Sequence, residues 1–410
     1  MEPIEPTTGL KILCPLGSSL DTLSRRALAP FDTTAKALVS RFSRRLAQDP
    51  RARAFPEIIA LAHWLRPRAI EDLEAGFRAG LPPDCHALGR GMALHFAPGN
   101  VDTIFLYSAL LSILAGNATV VRVSSRASPQ IALLTDVLNG VLQDSNLDGM
   151  RARLRILRYP RDARITAALS SACDLRLIWG GDDSVQDIRA LPLAPRGRDV
   201  TFPDRWSLCV LDARSVLAEN TDLAALARNF VNDAYWFDQM ACSSPRLVLW
   251  HGPVGEAEAA SERFWPLVEA ASDSFAEGMQ AVQYVNKLVA QCSAAINGTA
   301  TQLRPGANNM VSVATLARLD LPAHDLLHIG GGLFWQAHLP DLDALAPLLD
   351  SRSQTLSSHG IAARIWADWT TRHAACIDRI VPIGQALQFD TIWDGMDLLR
   401  EFTRLVAIRV

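Results

Sequence analysis

From Gly91 onward, short apolar runs alternate with segments of helical periodicity, and this alternation constrains the fold more than any other feature of the chain. GMALHFAPGN reads as a strand closing on Pro-Gly-Asn, and VDTIFLYSALLSILAG as a helix ending at Gly116. NATVVRVSS, RLRILRYP and LRLIWGG read as further strands. SPQIALLTDVLNGVL, RITAALSSA and DDSVQDIRAL read as the helices after them. Strands separated by helices of this length form βαβ units, so an α/β fold with a parallel sheet is expected. WSLCVLDA, the helix NTDLAALARNFVNDAYWF and a strand RLVLWHG open a second α/β stretch. Residues 20–80 read as helical, with apolar positions recurring every three or four residues in LVSRFSRRLA and EIIALAHWL.

With 410 residues, 49% of them hydrophobic, the chain can fill two sizeable cores. Pro195, Gly197 and Pro203 place a domain change near 203–208. The formal net charge of -3 gives no broad basic face, which makes nucleic acid a poor candidate partner. The start, MEPIEPTTGLKILCPLGSS, lacks the basic-then-apolar order of a secretory signal. The longest apolar stretch, Val101 to Ala115, is interrupted by Asp102 and falls short of the roughly 20 residues of a membrane span. Seven cysteines are scattered without a CxxC pair or a His cluster, a pattern of reduced thiols in the cytoplasm rather than of disulfides or a metal site.

Cys242 lies in DQMACSSPRLVLW, a small, polar turn directly before an apolar strand. That setting suits a buried small hydrophobe and an exposed nucleophile equally, whereas the other six cysteines read as buried thiols. Asn100, between strand and helix, has the residue type of a helix N-cap, and its amide is also suited to donate to an oxyanion. Arg122, Ser124, Ser125 and Arg126 follow a strand and precede a helix, where open α/β sheets bind nucleotides. They suit a ribose and a 2′-phosphate, or alternatively a polar loop with a serine cap. Gly180 and Gly181 repeat that geometry and let backbone approach a pyrophosphate or nicotinamide, although no GxGxxG fingerprint surrounds them. The glycine triplet at 330–332 is ambiguous. Paired hydrolase carboxylates, a GxSxG elbow and a GxxxxGKS loop are missing from the sequence.

Taken together, HFAPGNVDTIFLYSALLSILAGNATVVRVSS, the WGG at 179–181, DQMACSSPRLVL, SSHGIAARIW and VPIGQALQFDTIWDGMDLL resemble the aldehyde dehydrogenase superfamily. The resemblance is stronger to its acyl-CoA reductase branch, which contains the fatty-acid reductases of bacterial bioluminescence. It runs from about Gly91 to the C-terminus. It implies a Rossmann-like cofactor domain over 1–205 together with the N-terminal helices, and a catalytic domain over 206–385. A segment over 386–410 then returns to the cofactor side, and a small oligomerising extension makes a homo-oligomer expected.

By position, the resemblance makes Cys242 the nucleophile and Asn100 the oxyanion donor. Arg122 stands where the superfamily usually has a ribose-binding Lys. Ser125 stands where NAD-specific members often have a Glu on the 2′-hydroxyl, and with Arg126 adjacent this implies NADPH, with NADH as the alternative. Hydrolytic members carry a Glu about thirty residues before the nucleophile, but here the stretch reads GRDVTFPDRWSLCV. The Glu-x-Phe pair that usually holds the nicotinamide ribose is not evident near HIGGGLFWQ.

The implied reaction is reduction of an acyl thioester, such as an acyl-CoA, to an aldehyde through an acyl-cysteine, without a metal. A protein that activates or transfers acyl groups is a plausible partner. The rival readings are an aldehyde dehydrogenase that forms acids or acyl-CoA, and a silent subunit of an acyl-activating complex.

Overall fold

The computed structural model of the chain describes residues 9–99, 101–307, 309–320, 326 and 328–409. They form two compact units, one of residues 1–203 with 389–410 and one of 204–388.

The first unit contains β1 (Lys11–Cys14), α1 (Thr33–Gln48), α2 (Pro56–Trp64), α3 (Pro67–Ala79), β2 (Cys85–Gly89), β3 (Met92–Phe96) and α4 (Ile104–Leu114). It continues with β4 (Ala118–Arg122), α5 (Pro129–Val141), α6 (Asp148–Arg151), β5 (Leu154–Arg158), α7 (Ala163–Ala172), β6 (Leu175–Trp179), α8 (Asp182–Arg189) and β7 (Arg198–Phe202). The sheet order is β1-β5-β4-β3-β6-β7, with β3 to β7 parallel and β1 antiparallel on the β5 edge. Residues of β3 and β6 are buried throughout, which is why both read as unbroken apolar runs rather than alternating ones. The chain runs from β3 outward through β4 to β5, then crosses to β6 on the other side of β3. That reversal is a topological switch point between β3 and β6, where open sheets of this kind place their ligand crevice.

Helix α4 is buried at every position. Its two serines are satisfied inside the core: Ser108 Oγ lies 2.8 Å from His95 Nδ1, and Ser112 Oγ accepts from Thr119 Oγ1 at 3.0 Å.

The helical expectation for residues 20–80 holds for α1, α2 and α3 but not for residues 20–32, which carry no helix. There the backbone bonds outward instead. Ser24 N donates to Ala152 O (2.8 Å), Leu28 N to Gly116 O (2.9 Å), and Leu28 O accepts from Gly89 N (3.0 Å). Strands β1 and β7 were not foreseen.

The second unit holds β8 (Trp206–Asp212), α9 (Ala213–Leu217), α10 (Leu223–Tyr235), β9 (Pro245–His251), α11 (Val254–Ser272) and α12 (Ala281–Ile296). After these come β10 (Ala300–Pro305), β11 (Ser312–Leu316), β12 (Leu333–Leu339), β13 (Ser353–His359), α13 (Ala363–His373) and β14 (Arg379–Pro382). Its sheet runs β10-β11-β12-β9-β8-β13-β14, antiparallel only between β10 and β11. One face packs Phe230, Phe264, Trp265 and Phe334, with ring centroids 5.2–5.8 Å apart in the contacts Phe230 makes. The other packs Trp206, Leu208, Leu247, Trp366 and Trp369.

Residues 389–410 belong to the first unit and carry β15 (Ile392–Trp393), β16 (Met396–Asp397), α14 (Leu398–Glu401) and β17 (Thr403–Ala407). Tyr107 Oη donates to Asp390 O (2.5 Å) and Asn117 Nδ2 to Phe402 O (3.0 Å), and Leu398, Leu399 and Phe402 are buried. β17 pairs antiparallel with β2 to form a separate two-stranded ribbon.

Candidate active site

Cys242 lies in the second unit, at the end of a turn joining α10 to β9, beside the amino ends of the parallel strands β8, β9, β12 and β13. The turn is strained. Asp238 and Gln239, neither of them glycine, have φ of 52° and 64°. Such left-handed residues persist only where their surroundings over-determine them.

Gln239 shows how that is done. Its side chain is fully buried, with Nε2 donating to Pro245 O (3.1 Å) and Leu333 O (3.0 Å), and Oε1 accepting from Gly332 N (3.0 Å). Downstream of it, Ser207 Oγ donates to Cys242 O (2.6 Å) and accepts from Thr355 N (3.1 Å). Ser243 Oγ donates to Gln354 Oε1 (2.9 Å), and Ser244 Oγ to Asp233 O (2.7 Å). The carbonyl of Cys242 and the serines after it are thus fixed, and the half-buried thiol is carried on a rigid backbone.

The glycine triplet at 330–332 is the other wall of this turn. Gly331 N donates to Asp238 O (2.9 Å). A Cβ on Gly330 would lie 2.4 Å from Asp238 O, and one on Gly332 would lie 1.9 Å from Met310 O. With φ of 70° and 80°, only glycine fits either place. Lys287 of α12, itself buried, donates to Gly331 O (2.8 Å) and to Asn309 O, and burial pushes its ammonium down to about 8.

The charge of Arg246 couples to the thiol. The guanidinium of Arg246, on β9, is pushed down to about 10 by burial, and the charges of Cys242, Asp204 and Asp350 act in the opposite direction. His328 is held neutral, down to about 4, by burial and by Arg246, while its ring bonds the Gln239 backbone.

The remaining thiols divide. Cys14, Cys173 and Cys209 are buried, and burial raises all three, Cys173 and Cys209 to about 12. Cys292 and Cys376 are exposed and Cys85 is half-buried, which corrects the expectation of six buried thiols. All three lie on the margins of their units, on α12, after α13 and at the start of β2.

The other candidates lie in the first unit. Asn100 falls outside the described residues, and the cap position of α4 is occupied by Thr103. Arg122 ends β4 and is half-buried. Its guanidinium carbon sits 5.6 Å from the Tyr159 ring centroid, and burial lowers its pKa. Ser124 Oγ accepts from Arg126 N at 3.2 Å, while Ser125 and Arg126 are exposed. The serine that caps α5 is Ser128, in the same segment, so the alternative of a polar loop with a serine cap holds for this stretch. Gly180 and Gly181 follow β6 across the switch point. Among the described residues, a Cβ on Gly180 would meet Ser184 Cβ at 3.5 Å and one on Gly99, after β3, would meet Ser124 Oγ at 3.8 Å, both ordinary van der Waals distances. Asp182 and Asp183 fill the first turn of α8, whose positive end therefore already faces carboxylates.

Sequence reasoning missed Gln239, Ser207, Gln354, Arg246 and Lys287. Their partners lie far away along the chain, 93 residues for Gln239 with Gly332 and 148 for Thr355 with Ser207. Among the described residues no His/Cys/Asp/Glu group could hold a metal, and no helix is long and apolar enough to cross a membrane.

Residues 83–263 match the model of the acyl-CoA reductase (LuxC) family, a span that includes Asn100, Arg122, Gly180 and Cys242 but not Lys287, the glycine triplet or Gln354. The chain is 26% identical over 205 residues to a long-chain acyl-protein thioester reductase of Aliivibrio fischeri, covering 47% of this chain and 40% of that protein. It is 27% identical over 169 residues to long-chain acyl-protein thioester reductase 2 of Photobacterium leiognathi, covering 40% of this chain and 33% of that protein. The matches thus span well under half the length of these relatives. Among solved structures, 1-pyrroline-5-carboxylate dehydrogenase of Thermus thermophilus superposes with a TM-score of 0.62 at 16% identity, over 91% of this chain and 80% of that one. The NAD-dependent benzaldehyde dehydrogenase of Corynebacterium glutamicum gives 0.59 at 15%, over 92% and 85%. The fold is that of the aldehyde dehydrogenases.

Proposed function

We propose that the protein reduces an acyl thioester to an aldehyde, with Cys242 as nucleophile and NADPH as the preferred reductant. The observation that carries this reading is the Cys242 turn. A strained backbone is held by Gln239, Ser207 and the glycine triplet, and it presents a half-buried thiol next to the guanidinium of Arg246. A neighbouring cation favours the thiolate, which is the reactive form.

In the first step Sγ attacks the acyl carbon, the bond to the donor sulfur breaks, and the donor leaves as a thiol after taking a proton. The product is an acyl thioester on Cys242. Without a Glu to activate water in GRDVTFPDRWSLCV, that intermediate is not directed to hydrolysis. A reduced nicotinamide, when bound, supplies a hydride. Reduction of the acyl carbon leaves a thiohemiacetal on Sγ, which collapses by expelling the Cys242 thiolate and releases the aldehyde. The resemblance assigns the oxyanion to Asn100 and the Cys242 N–H.

Arg122, Ser124, Ser125 and Arg126 at the β4 end fit an adenosine ribose, and the Gly180–Gly181 turn fits a nicotinamide more closely than a pyrophosphate, because Asp182 and Asp183 in the first turn of α8 repel anions. The missing carboxylate at Ser125 favours a 2′-phosphate over a free 2′-hydroxyl. The bacterial relatives are long-chain acyl-protein thioester reductases, which favours a long-chain acyl group carried on a protein. Such a donor, or an acyl-CoA, is the substrate class proposed here. The ribbon of β2 and β17 is the proposed oligomerising extension, and the cytoplasm the proposed location.

The test is NADPH oxidation with acyl-CoAs of graded length, with aldehyde identified as product. Cys242→Ala should abolish it, and full activity in that variant would end the proposal.

A further inference from the structure

Helix α12 is inverted relative to an ordinary surface helix. The side turned into the second unit buries Lys287, Ala290 and Ala294, while Val282, Val285, Leu288, Val289 and Ile296 are 55–83% exposed. α10 in the same unit shows the usual arrangement, with Leu223, Leu226, Ala227, Phe230 and Val231 all buried. Single exposed apolar residues are ordinary, but this many on one face of one helix form a contiguous patch.

The spacing of the exposed residues is that of a helix-packing seam. Val282, Val285, Val289, Cys292 and Ile296 follow one another at intervals of three, four, three and four, the a and d positions of a heptad repeat. Leu288 and Ala295 flank the seam, and all of these residues are exposed. The helix is held from behind. Lys287 Nζ donates to Gly331 O (2.8 Å), Met310 O (3.4 Å) and Asn309 O, and Gln280 and Gln283 close a capping box at the start of the helix. A face fixed in this way loses little freedom on association.

The seam carries no charge. Lys287 is the one charged side chain of α12, and it is buried on the opposite side. In a two-fold contact each residue meets the same surface of its copy, so any charge there would meet its like. A neutral apolar seam is therefore complementary to itself. Its five aliphatic residues expose on the order of 500 Å² per copy, or roughly 1,000 Å² across a symmetric pair, which reaches the lower bound of a specific interface.

We propose that α12 packs against α12 of a second copy of this chain, along the seam of Val282, Val285, Val289, Cys292 and Ile296. This surface belongs to the second unit, whereas the ribbon of β2 and β17 belongs to the first. The pairing does not depend on the acyl reduction proposed above.

The experiment is sedimentation equilibrium of the whole protein as the parent, as Val289→Glu, as Val289→Lys, and as an equal mixture of the two variants. Like charges across the seam should halve the mass of each variant relative to the parent. Mixing should restore it, because opposite charges then face each other. Alkylation of the native parent, mapped by peptide mass, adds a readout that needs no substitution. Cys292 and Cys376 are both exposed on a single copy, so pairing should slow Cys292 at least about tenfold relative to Cys376. A mass unchanged by either substitution, a lowered mass that mixing does not restore, or equal alkylation of the two cysteines in the parent overturns the inference.

Discussion

Replacing Gln239 by Met tests whether the nucleophile turn is held by buried hydrogen bonds. Met keeps the length and nearly the volume of the side chain, so little cavity is created and the polar contribution is isolated. The substitution strands two carbonyls, Pro245 O and Leu333 O, and one amide, Gly332 N, all bonded to a fully buried side chain. A stranded buried group costs roughly 1–3 kcal/mol, and three that share one side chain do not add fully, so the expected loss is about 3–5 kcal/mol. With a urea m-value of about 3 kcal/mol/M, the midpoint of the second unit's transition should fall by about 1–1.7 M. Near-UV circular dichroism follows that transition through the aromatic cluster of Phe230, Trp265 and Phe334. The strained φ values at 238 and 239 lose their restraint as well, so alkylation of Cys242 under native conditions, followed by peptide mass mapping, should change rate. A midpoint within about 0.3 M of the parent, equal to about 1 kcal/mol at that m-value, with unchanged alkylation, would refute the idea that Gln239 fixes the turn.

Gly332→Ala should destabilise the second unit by more than about 2 kcal/mol, because its methyl meets Met310 O in a left-handed backbone; thermal denaturation checks this. Arg246→Met should slow alkylation of Cys242 at neutral pH, since a cation whose charge couples to the thiol is lost; mass mapping of the Cys242 peptide checks this. His95 is fully buried and its pKa lowered to about 3 by burial, so the folded state stays neutral while the unfolded imidazole takes a proton below about 6.5. Its contribution is complete above that pH and is lost as pH falls, by about 1.4 kcal/mol per unit, and His95→Gln should flatten the stability profile between pH 6.5 and 4.5.

The parallel sheets were legible because strands buried on both faces leave apolar runs, and the helices between them leave a 3.6-residue period. LRLIW carries the first signal and PQIALLTDVLNGV, with Ile131, Leu134, Leu138 and Val141 buried, the second, both without help from tertiary structure. Residues 20–32 show the limit. LDTLSRRALA has helical spacing, yet its amides are taken by Ala152 O and Gly116 O, partners that no local pattern encodes. The short strands β1 and β7 are defined by their neighbours in the same way.

At the site, the cysteine turn was visible from DQMACSSP because small polar residues before an apolar strand mark a chain reversal. What makes the turn rigid was not visible. Ser207 meets Cys242 across 35 residues and Gln354 meets Ser243 across 111, so these contacts exist only once β8, β9 and β13 align. The glycine triplet was ambiguous for the same reason, since its role depends on Asp238 and Met310 lying against it.

The central claim is a covalent acyl-enzyme on Cys242. Incubation with a long-chain acyl-CoA, without nicotinamide, should add one acyl mass to the intact protein, mapped to the Cys242 peptide and cleared as aldehyde when NADPH is added. Absence of an adduct, or an adduct of equal yield in Cys242→Ala, would contradict it.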